Sequence, residues 1–283
     1  MSLASALLKR LFVSRALSIP FTSVRLGRKG HPKYGKPCAL ASDGTIAPNI
    51  DFNISHQAGL VALVGSATIF TDLGVDITCV NERNDYRLID EEGFDGWVDV
   101  YEEIFSPDEL WDMKYNVDRV VLLAGMEVSS DQLGRADRCV RRDQDLKITL
   151  QNGHSRDINS DLIIDAKLRR FYTFWSYKEA YIKLAGEGLL AKWLKELEFR
   201  NVRSPRPGTV ARCSTHGVWG EKVADAEVWL HERHLDKIKL ECQSFEEYHM
   251  IAVAAKAKND AVHVPELPPF RSINLDRDIL NDL

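Results

Sequence analysis

Cysteine and long apolar segments are scarce in this sequence. Five cysteines in 283 residues are an odd number, and no two of them form a CxxC pair. A disulfide scaffold and a zinc ribbon are therefore excluded, and a reducing compartment such as the cytoplasm is expected. The longest apolar runs, 60–65 and 67–70, are far shorter than the roughly 18 residues that a membrane helix needs. We therefore expect no membrane association.

Several catalytic signatures are also missing. The absence of a GxxxxGK[ST] loop and of a GxSxG elbow argues against a P-loop nucleotide enzyme and an α/β-hydrolase. Ser55 and His56 are neighbours in a predicted strand, so their side chains point to opposite faces and form no nucleophile–base pair. His231 and His234 lack the HExxH spacing of a zinc site. The net charge of −5 does not favour a nucleic-acid-binding protein.

Acidic residues are absent from the first 42 positions, which carry eight lysines and arginines. This composition is typical of a mitochondrial presequence. The segment also fits a domain helix, because an apolar stripe is formed by Leu3, Leu7, Leu8, Leu11 and Phe12. A third interpretation is a basic segment beside a site for a polyanionic ligand.

The chain length and a hydrophobic content of 45% suit one large domain or two compact halves. Strands are predicted at 51–56, 60–64 and 73–77 as an antiparallel meander, and at 197–202, 226–230 and 249–255 in a second sheet. Ser106, Pro107 and Glu109 predict a helix with a capping box, which explains Glu109 without a catalytic role. Residues 116–165 are charged and weakly periodic, which predicts a surface excursion with a short hairpin around 146–150.

A helix predicted over 168–185 is apolar nearly all round, which indicates burial, and Gly186 can end it. From residue 171 onward its only charged side chains are Lys178, Glu179 and Lys183. Glu179 and Lys183 are spaced i, i+4, so a structural ion pair is one interpretation. The alternative is a bound ligand, because charges in such surroundings are costly to bury without a partner.

Asp76 ends an apolar predicted strand, where an acid is unexpected. Carboxylates from two elements, Asp76 and Glu179, suit Mg²⁺, which completes its octahedron with water and phosphate oxygens. Thr78 shares the strand face of Asp76 and could add an oxygen. The alternative is that Asp76 only caps a turn. His56 ends a strand beside the basic stretch and is placed to bind a phosphate.

Five motifs in this order resemble the Sfp-type 4′-phosphopantetheinyl transferases. They are Tyr34-Gly35-Lys36-Pro37, Phe52-Asn53-Ile54-Ser55-His56, Gly74-Val75-Asp76-Ile77, Phe105-Ser106-x-x-Glu109 and Trp175-x-x-Lys178-Glu179-Ala180-x-x-Lys183-x-x-Gly186-x-Gly188-Leu189. The segment 76–83 and the tail after Pro269 look like the fungal, broad-specificity branch of that family.

The resemblance implies an α+β fold of two halves related by a pseudo-twofold axis, each a small antiparallel sheet packed on a long helix. The halves would be 1–73 and 74–264, the second with an insertion around 116–165, followed by a Pro-rich tail at 265–283. Coenzyme A would lie in the cleft between the halves. We expect a monomer, as is general for pseudo-symmetric members.

The implied reaction is Mg²⁺-dependent transfer of the 4′-phosphopantetheine arm of coenzyme A to a serine of an apo acyl or peptidyl carrier protein, which releases adenosine 3′,5′-bisphosphate. The carriers would belong to fatty-acid, polyketide, nonribosomal peptide and aminoadipate-reductase-type synthases. By motif position, Asp76 and Glu179 would hold the metal, Glu179 would be the general base, Lys183 would stabilise the transferring phosphate, and His56 would bind a coenzyme A phosphate. The implied coenzyme A contacts are Gly35, Lys36, Pro37, Ser55, His56, Lys178 and Lys183.

The sequence departs from the family pattern in three places. Many bacterial members have Glu where this chain has Thr78, and here Gln57 could assist through its amide. The segment 116–165 is longer than the usual connection. The family normally has a further N-terminal strand, so this chain begins inside the motif, which favours a core helix at 2–17 over a presequence. The alternative function is a truncated, catalytically weak homologue that binds carrier protein or coenzyme A without efficient transfer.

Overall fold

A computed structural model describes residues 3–30, 35–67, 71–81, 84–121, 127–129, 133, 139–149, 153–187, 191–208, 217–257, 264 and 266–278. The fold is α+β with antiparallel sheets, as predicted. The helices of these segments are α1 (Leu3–Leu17), α2 (Asp85–Asp99), α3 (Pro107–Tyr115), α4 (Asp161–Ala185) and α5 (Leu275–Asp278). The strands are β1 (Arg25–Lys29), β2 (Lys36–Leu40), β3 (Asp51–Gln57), β4 (Leu60–Ser66), β5 (Thr71–Cys79), β6 (Arg119–Val121), β7 (Glu127–Ser129), β8 (Asp145–Thr149), β9 (Ser155–Asn159), β10 (Leu197–Arg200), β11 (Trp219–Val223), β12 (Glu227–Leu230), β13 (Arg233–His234), β14 (Ile238–Phe245) and β15 (His249–Ala257).

The largest sheet has four antiparallel strands in the order β11-β14-β15-β5. A separate sheet contains β10, β12 and β13, so the prediction that all C-terminal strands share one sheet is wrong. The predicted strand that lies elsewhere is β15, because it pairs with β14 on one side and with β5 on the other. After β12, His231 and Glu232 form a tight turn in which both have positive φ, of 50° and 61°. This turn folds β13 back onto β12 and keeps the two strands in a local hairpin.

The predicted meander of β3, β4 and β5 is also wrong. β3 and β4 form an antiparallel hairpin, but β5 pairs along its whole length with β15. β3 reaches β5 through side chains, because alternate residues of β3 accept hydrogen bonds from the backbone N–H groups along the edge of β5. The three pairs are Asp51 Oδ2 with Leu73 N at 2.9 Å, Asn53 Oδ1 with Val75 N at 3.3 Å, and Ser55 Oγ with Ile77 N at 3.3 Å. This polar ladder satisfies donors that would otherwise be buried without partners.

Helix α4 is the centre of the larger hydrophobic core. It is buried on most of its faces, as its apolar sequence predicts, and it begins at Asp161, earlier than expected. It ends at Gly186, whose left-handed conformation (φ 75°) suits glycine. The ring of Phe171 packs against that of Trp97 of α2 with the centroids 4.5 Å apart. Helix α3 has the predicted N-terminal capping box of Ser106 and Glu109.

The segment 116–165 is not a surface excursion in its described part. Val117, Val128, Ile148 and Ile158 are all buried in the core around α4. The predicted hairpin exists as β8 and β9, although Asn152, which the sequence placed near its turn, lies outside the described residues. Ile148 and Ile158 point inward, while their neighbours in the strands are mostly exposed. Because the exposed residues outnumber the buried ones, the sequence of these strands looks like that of a surface segment.

Helix α1 belongs to the domain, as the helical interpretation predicts. Its Val13 is fully buried, and its Phe12 ring lies 5.7 Å from that of Phe52 in β3. Leu3, the first residue of the predicted apolar stripe, is instead 74% exposed. Among the residues that the structure describes, no helix combines the length and apolar character needed to cross a bilayer.

Candidate functional site

A cleft of about 440 Å³ lies where α1, β3, β5 and α4 meet, with residues of β1 and β2 at its rim. Four side chains that carry or can carry positive charge line it together with two carboxylates. They are Lys9, Arg28, His56, Lys183, Asp76 and Glu179. The sequence predicted four of these six, and the fold brings those four to one place from three separate elements.

Helix α4 presents one stripe of side chains to the cleft. Trp175, Glu179 and Lys183 are spaced i, i+4, i+8 and all line it. Strand β5 can approach this stripe because Gly74 has no side chain. A Cβ at Gly74 would lie 2.0 Å from the carbonyl oxygen of Ala180 in α4. The glycine of the Gly-Val-Asp-Ile motif therefore brings Asp76 close to the helix that carries Glu179 and Lys183.

Asp76 is 6% exposed and lies within β5 rather than at its end, so the turn-capping interpretation is wrong. Its Oδ1 lies 2.6 Å from Lys183 Nζ and 3.0 Å from Ser55 Oγ. Burial raises the pKa of the Asp76 carboxyl, and the charge of Lys183 acts against that shift. The structure therefore pairs Lys183 with the acid on β5. The carboxylate of Asp76 is held jointly by α4 and β3.

Lys178 does not line the cleft, contrary to its assignment as a coenzyme A contact. Its side chain is 1% exposed, and its Nζ lies 3.0 Å from Glu109 Oε2. It also donates to the carbonyl oxygens of Leu194, at 2.9 Å, and Leu197. Glu109 thus does more than the predicted capping, because it balances a buried ammonium group. The position of a residue in a motif does not show whether its side chain already has its partners inside the protein.

The Gly-Lys-Pro segment contributes to the cleft unequally. Pro37 lines it, whereas Lys36 is buried in an ion pair with Asp51 at the start of β3. The carbonyl oxygen of Gly35 accepts a hydrogen bond from Arg28 at 2.9 Å and so helps to place that guanidinium. Tyr34, which begins the motif, lies outside the described residues.

Lys9 and Arg28 were not singled out by the sequence, although both belong to the acid-free N-terminal region. Lys9 is 7% exposed, and its pKa is lowered by burial and then by the charge of Arg28. Two neighbouring cations in a cleft repel each other, and a polyanionic ligand would relieve that repulsion. The basic, acid-free composition of the N-terminal region is the signal that could have identified both residues.

The donor set fits a hard divalent cation. Asp76 and Glu179 come from two elements and line one cleft with basic side chains around them. The described residues include no cluster of three His, Cys, Asp or Glu side chains, and Mg²⁺ commonly binds with only one or two protein carboxylates. Thr78 is buried, does not line the cleft, and its Oγ1 has no hydrogen-bond partner in the described part of the chain.

The fold and the cleft together define a class of protein: an α+β protein with a cleft that basic side chains and two carboxylates line together. Comparison with known proteins makes this class specific. The family model described as 4′-phosphopantetheinyl transferase, N-terminal, matches residues 1–68.

Curated relatives match almost the whole chain. A 4′-phosphopantetheinyl transferase of Aureobasidium melanogenum is 60% identical over 285 residues, which covers 99% of this chain and 83% of the relative. The 4′-phosphopantetheinyl transferase A of Aspergillus fumigatus is 32% identical and NpgA of Emericella nidulans is 30% identical, with 99% of this chain covered in both and 81% and 80% of the relatives. The chain belongs to the 4′-phosphopantetheinyl transferase family.

Proposed function

We propose that this chain transfers the 4′-phosphopantetheine arm of coenzyme A to a serine of an apo carrier protein and releases adenosine 3′,5′-bisphosphate. The observation that carries the proposal is the cleft itself, in which Asp76 and Glu179 lie among Lys9, Arg28, His56 and Lys183. A ligand with several phosphates and a bound cation would balance both sets of charges. The names of the relatives, and the family membership, support the same reaction.

In this proposal Asp76 and Glu179 hold one Mg²⁺. The ion would neutralise charge on the diphosphate of coenzyme A as the phosphoanhydride bond breaks. Asp76 suits this role because its carboxylate is held in place by Lys183 and Ser55. Glu179 suits it because its side chain is only partly buried and lines the same cleft.

The reacting groups would be served by the stripe of α4. The serine oxygen of the carrier forms a bond to the phosphorus of the pantetheine phosphate, and the bond from that phosphorus to the leaving adenosine bisphosphate breaks. Glu179 accepts the serine proton, directly or through water, and Lys183 stabilises the negative charge on the transferring phosphate. The i, i+4 spacing puts both side chains on one face of α4, which supports these roles.

The basic side chains of the cleft would bind the remaining phosphates. Lys9, Arg28 and His56 are the proposed contacts, with Pro37 at the adenine end. Lys36 and Lys178 are left out of this set, because each ammonium group is buried in an ion pair with a carboxylate. These two lysines stabilise the fold and do not contact the ligand in this proposal.

The resemblance to broad-specificity fungal members extends the proposal to the carriers of fatty-acid, polyketide, nonribosomal peptide and aminoadipate-reductase-type synthases. The proposal further includes action in the cytoplasm and as a monomer. A panel of apo carriers, one from each synthase class, tests the substrate range, since each modified carrier gains the mass of the arm.

The transfer itself is tested by incubating an apo carrier with coenzyme A, Mg²⁺ and the purified chain, and by measuring the mass of the carrier. We expect the wild type and Glu103→Gln to transfer equally, because Glu103 is an exposed residue outside the cleft. We expect Glu179→Gln to fold and to lose transfer. A wild type that binds coenzyme A but leaves every carrier unmodified would instead favour the weak homologue that only binds.

A further inference from the structure

Ser55 lies in the wall of the cleft, but its hydroxyl is already fully used by the protein. Its Oγ donates to Asp76 Oδ1 at 3.0 Å, and it accepts from Lys183 Nζ at 2.9 Å and from the backbone N of Ile77 at 3.3 Å. A serine hydroxyl has one proton and two lone pairs. These three partners therefore occupy its whole hydrogen-bonding capacity, and a phosphate of coenzyme A would find no free donor or acceptor on this side chain.

The polar ladder between β3 and β5 allows the structural role of Ser55 to be distinguished from its contacts with the charged groups of the site. Asn53, one step earlier on the same face of β3, accepts from Val75 N at 3.3 Å, as Ser55 does from Ile77. Both side chains are buried. Ser55 differs in its two additional contacts, which reach Asp76 in β5 and Lys183 in α4. Asn53 thus shares the structural role of Ser55 without contacting the charged groups of the site.

We propose that Ser55 is a positioning residue, whose hydroxyl fixes the carboxylate of Asp76 and the ammonium group of Lys183 relative to each other and to β3. This inference rests on the proposed function, in which Asp76 is a metal ligand. The terminal torsion of an aspartate side chain is broad, so a carboxylate without a fixed partner samples many orientations. The hydrogen bond from Ser55 restricts Asp76 to the orientation in which it faces the cleft.

The experiment compares Ser55→Ala with Ser55→Thr, which keeps the hydroxyl, and with Asn53→Ala as the matched control in the ladder. Mn²⁺ affinity is measured directly by electron paramagnetic resonance in the presence of coenzyme A, and folding by circular dichroism and thermal denaturation. For Ser55→Ala we expect the dissociation constant of Mn²⁺ to rise about tenfold, the effect of one hydrogen bond to a charged group. The half-saturating Mg²⁺ concentration in transfer should rise in parallel, while the KM for the carrier stays unchanged.

Ser55→Thr should restore Mn²⁺ affinity to within about twofold of the wild type, because its hydroxyl can make the same bonds. Asn53→Ala should lower the melting temperature and leave Mn²⁺ affinity unchanged. If Ser55→Ala does not fold, Ser55→Cys carries the test, since its thiol has a similar size and makes only weak hydrogen bonds. Weakened Mn²⁺ binding by folded Ser55→Cys is then the expected result.

Two results would overturn the inference while leaving the proposed function intact. One is wild-type Mn²⁺ affinity in a folded Ser55→Ala or Ser55→Cys variant. The other is an equal loss of affinity in Asn53→Ala, which would make the whole ladder merely structural. A wild type that binds no Mn²⁺ with coenzyme A would overturn the metal assignment itself and this inference with it, so the two failures are distinguishable.

Discussion

Lys178 and Glu109 form a fully buried ion pair, with 3.0 Å between the ammonium nitrogen and the nearer carboxylate oxygen. Backbone groups of two further segments bind the carboxylate. The backbone N of Phe199 donates to the other carboxylate oxygen at 2.9 Å, and the backbone N of Ser106 donates to the nearer one at 3.0 Å. Burial raises the pKa of Glu109 and lowers that of Lys178, and the attraction between the two groups opposes both shifts. The pair ties α3, α4 and β10 together.

Removal of one partner of this pair should destabilise the protein strongly. We expect Lys178→Met to lower the free energy of unfolding by about 3–5 kcal/mol, because it leaves the charge of Glu109 buried without its cation. Urea denaturation measures the change. The control is Arg87→Ala, which breaks the exposed i, i+4 pair with Glu91 and should cost less than about 1 kcal/mol. A Lys178→Met protein as stable as the wild type would contradict the structural role of the pair.

The contact between β5 and α4 should not tolerate a side chain at Gly74. In Gly74→Ala the new Cβ would collide with the backbone of α4, 2.0 Å from the Ala180 carbonyl oxygen and 2.5 Å from the Leu184 nitrogen. We expect a loss of about 3 kcal/mol of stability or more, and loss of transfer, because β5 must move away from the helix. Chemical denaturation and the carrier mass assay measure the two effects.

Gly96→Ala is the matched control for Gly74→Ala. Gly96 lies in α2, and a Cβ there would meet only the Glu92 side chain, at 3.2 Å. We expect a change within about 1 kcal/mol, since alanine favours a helix over glycine and offsets the close contact. Equal effects of the two substitutions would contradict the close approach of β5 and α4.

Lys9→Met should weaken coenzyme A binding without slowing the chemical step. Lys9 lines the cleft and lies close enough to Arg28 for their charges to interact. We expect the KM for coenzyme A to rise about tenfold, as for the loss of one charge-assisted hydrogen bond, with kcat within about twofold. The wild-type KM should also rise with salt more steeply than that of the variant. The exposed Lys195→Met is the control, and an unchanged KM for Lys9→Met would remove Lys9 from the binding site.

Cys139 and Cys242 should differ in their reactivity towards an alkylating reagent at pH 8. Burial raises the pKa of the Cys242 thiol to about 12, so almost no thiolate exists there at pH 8. Cys139 is exposed. We expect iodoacetamide at pH 8 to modify Cys139 in the native protein and to spare Cys242 until the protein is unfolded, as measured by peptide mass mapping. Rapid modification of native Cys242 would contradict its burial.

The sequence predicted the elements that carry their own local signals. The capping box of Ser106 and Glu109 and the buried α4 followed from residue type and spacing, and both are confirmed. The contact of β3 with β5 could not be predicted in this way. The alternation of β3 predicts that Asn53 points to solvent. Asn53 is instead buried, because its side-chain oxygen accepts a hydrogen bond from the backbone of β5, the edge strand of another sheet.

The sequence predicted only part of the candidate site, because some of its contacts are between residues far apart in the chain. Asp76, Glu179, Lys183 and His56 are polar residues in predicted apolar elements or at a strand end, and the fold places all four in one cleft. Charge alone could not distinguish them from Lys178, whose partner is far away in the sequence and compensates it inside the core. Three-dimensional pairing, which spacing along the chain does not encode, separates ligand contacts from structural ion pairs.

In the proposed mechanism, Asp76 and Glu179 share one divalent cation beside the diphosphate of coenzyme A. A crystal structure of the chain with coenzyme A and Mn²⁺, with anomalous diffraction data collected for manganese, tests it most directly. We expect one anomalous peak within about 2.3 Å of an oxygen from each carboxylate and of a diphosphate oxygen. A peak elsewhere, or one that contacts neither acid while coenzyme A occupies the cleft, would contradict it.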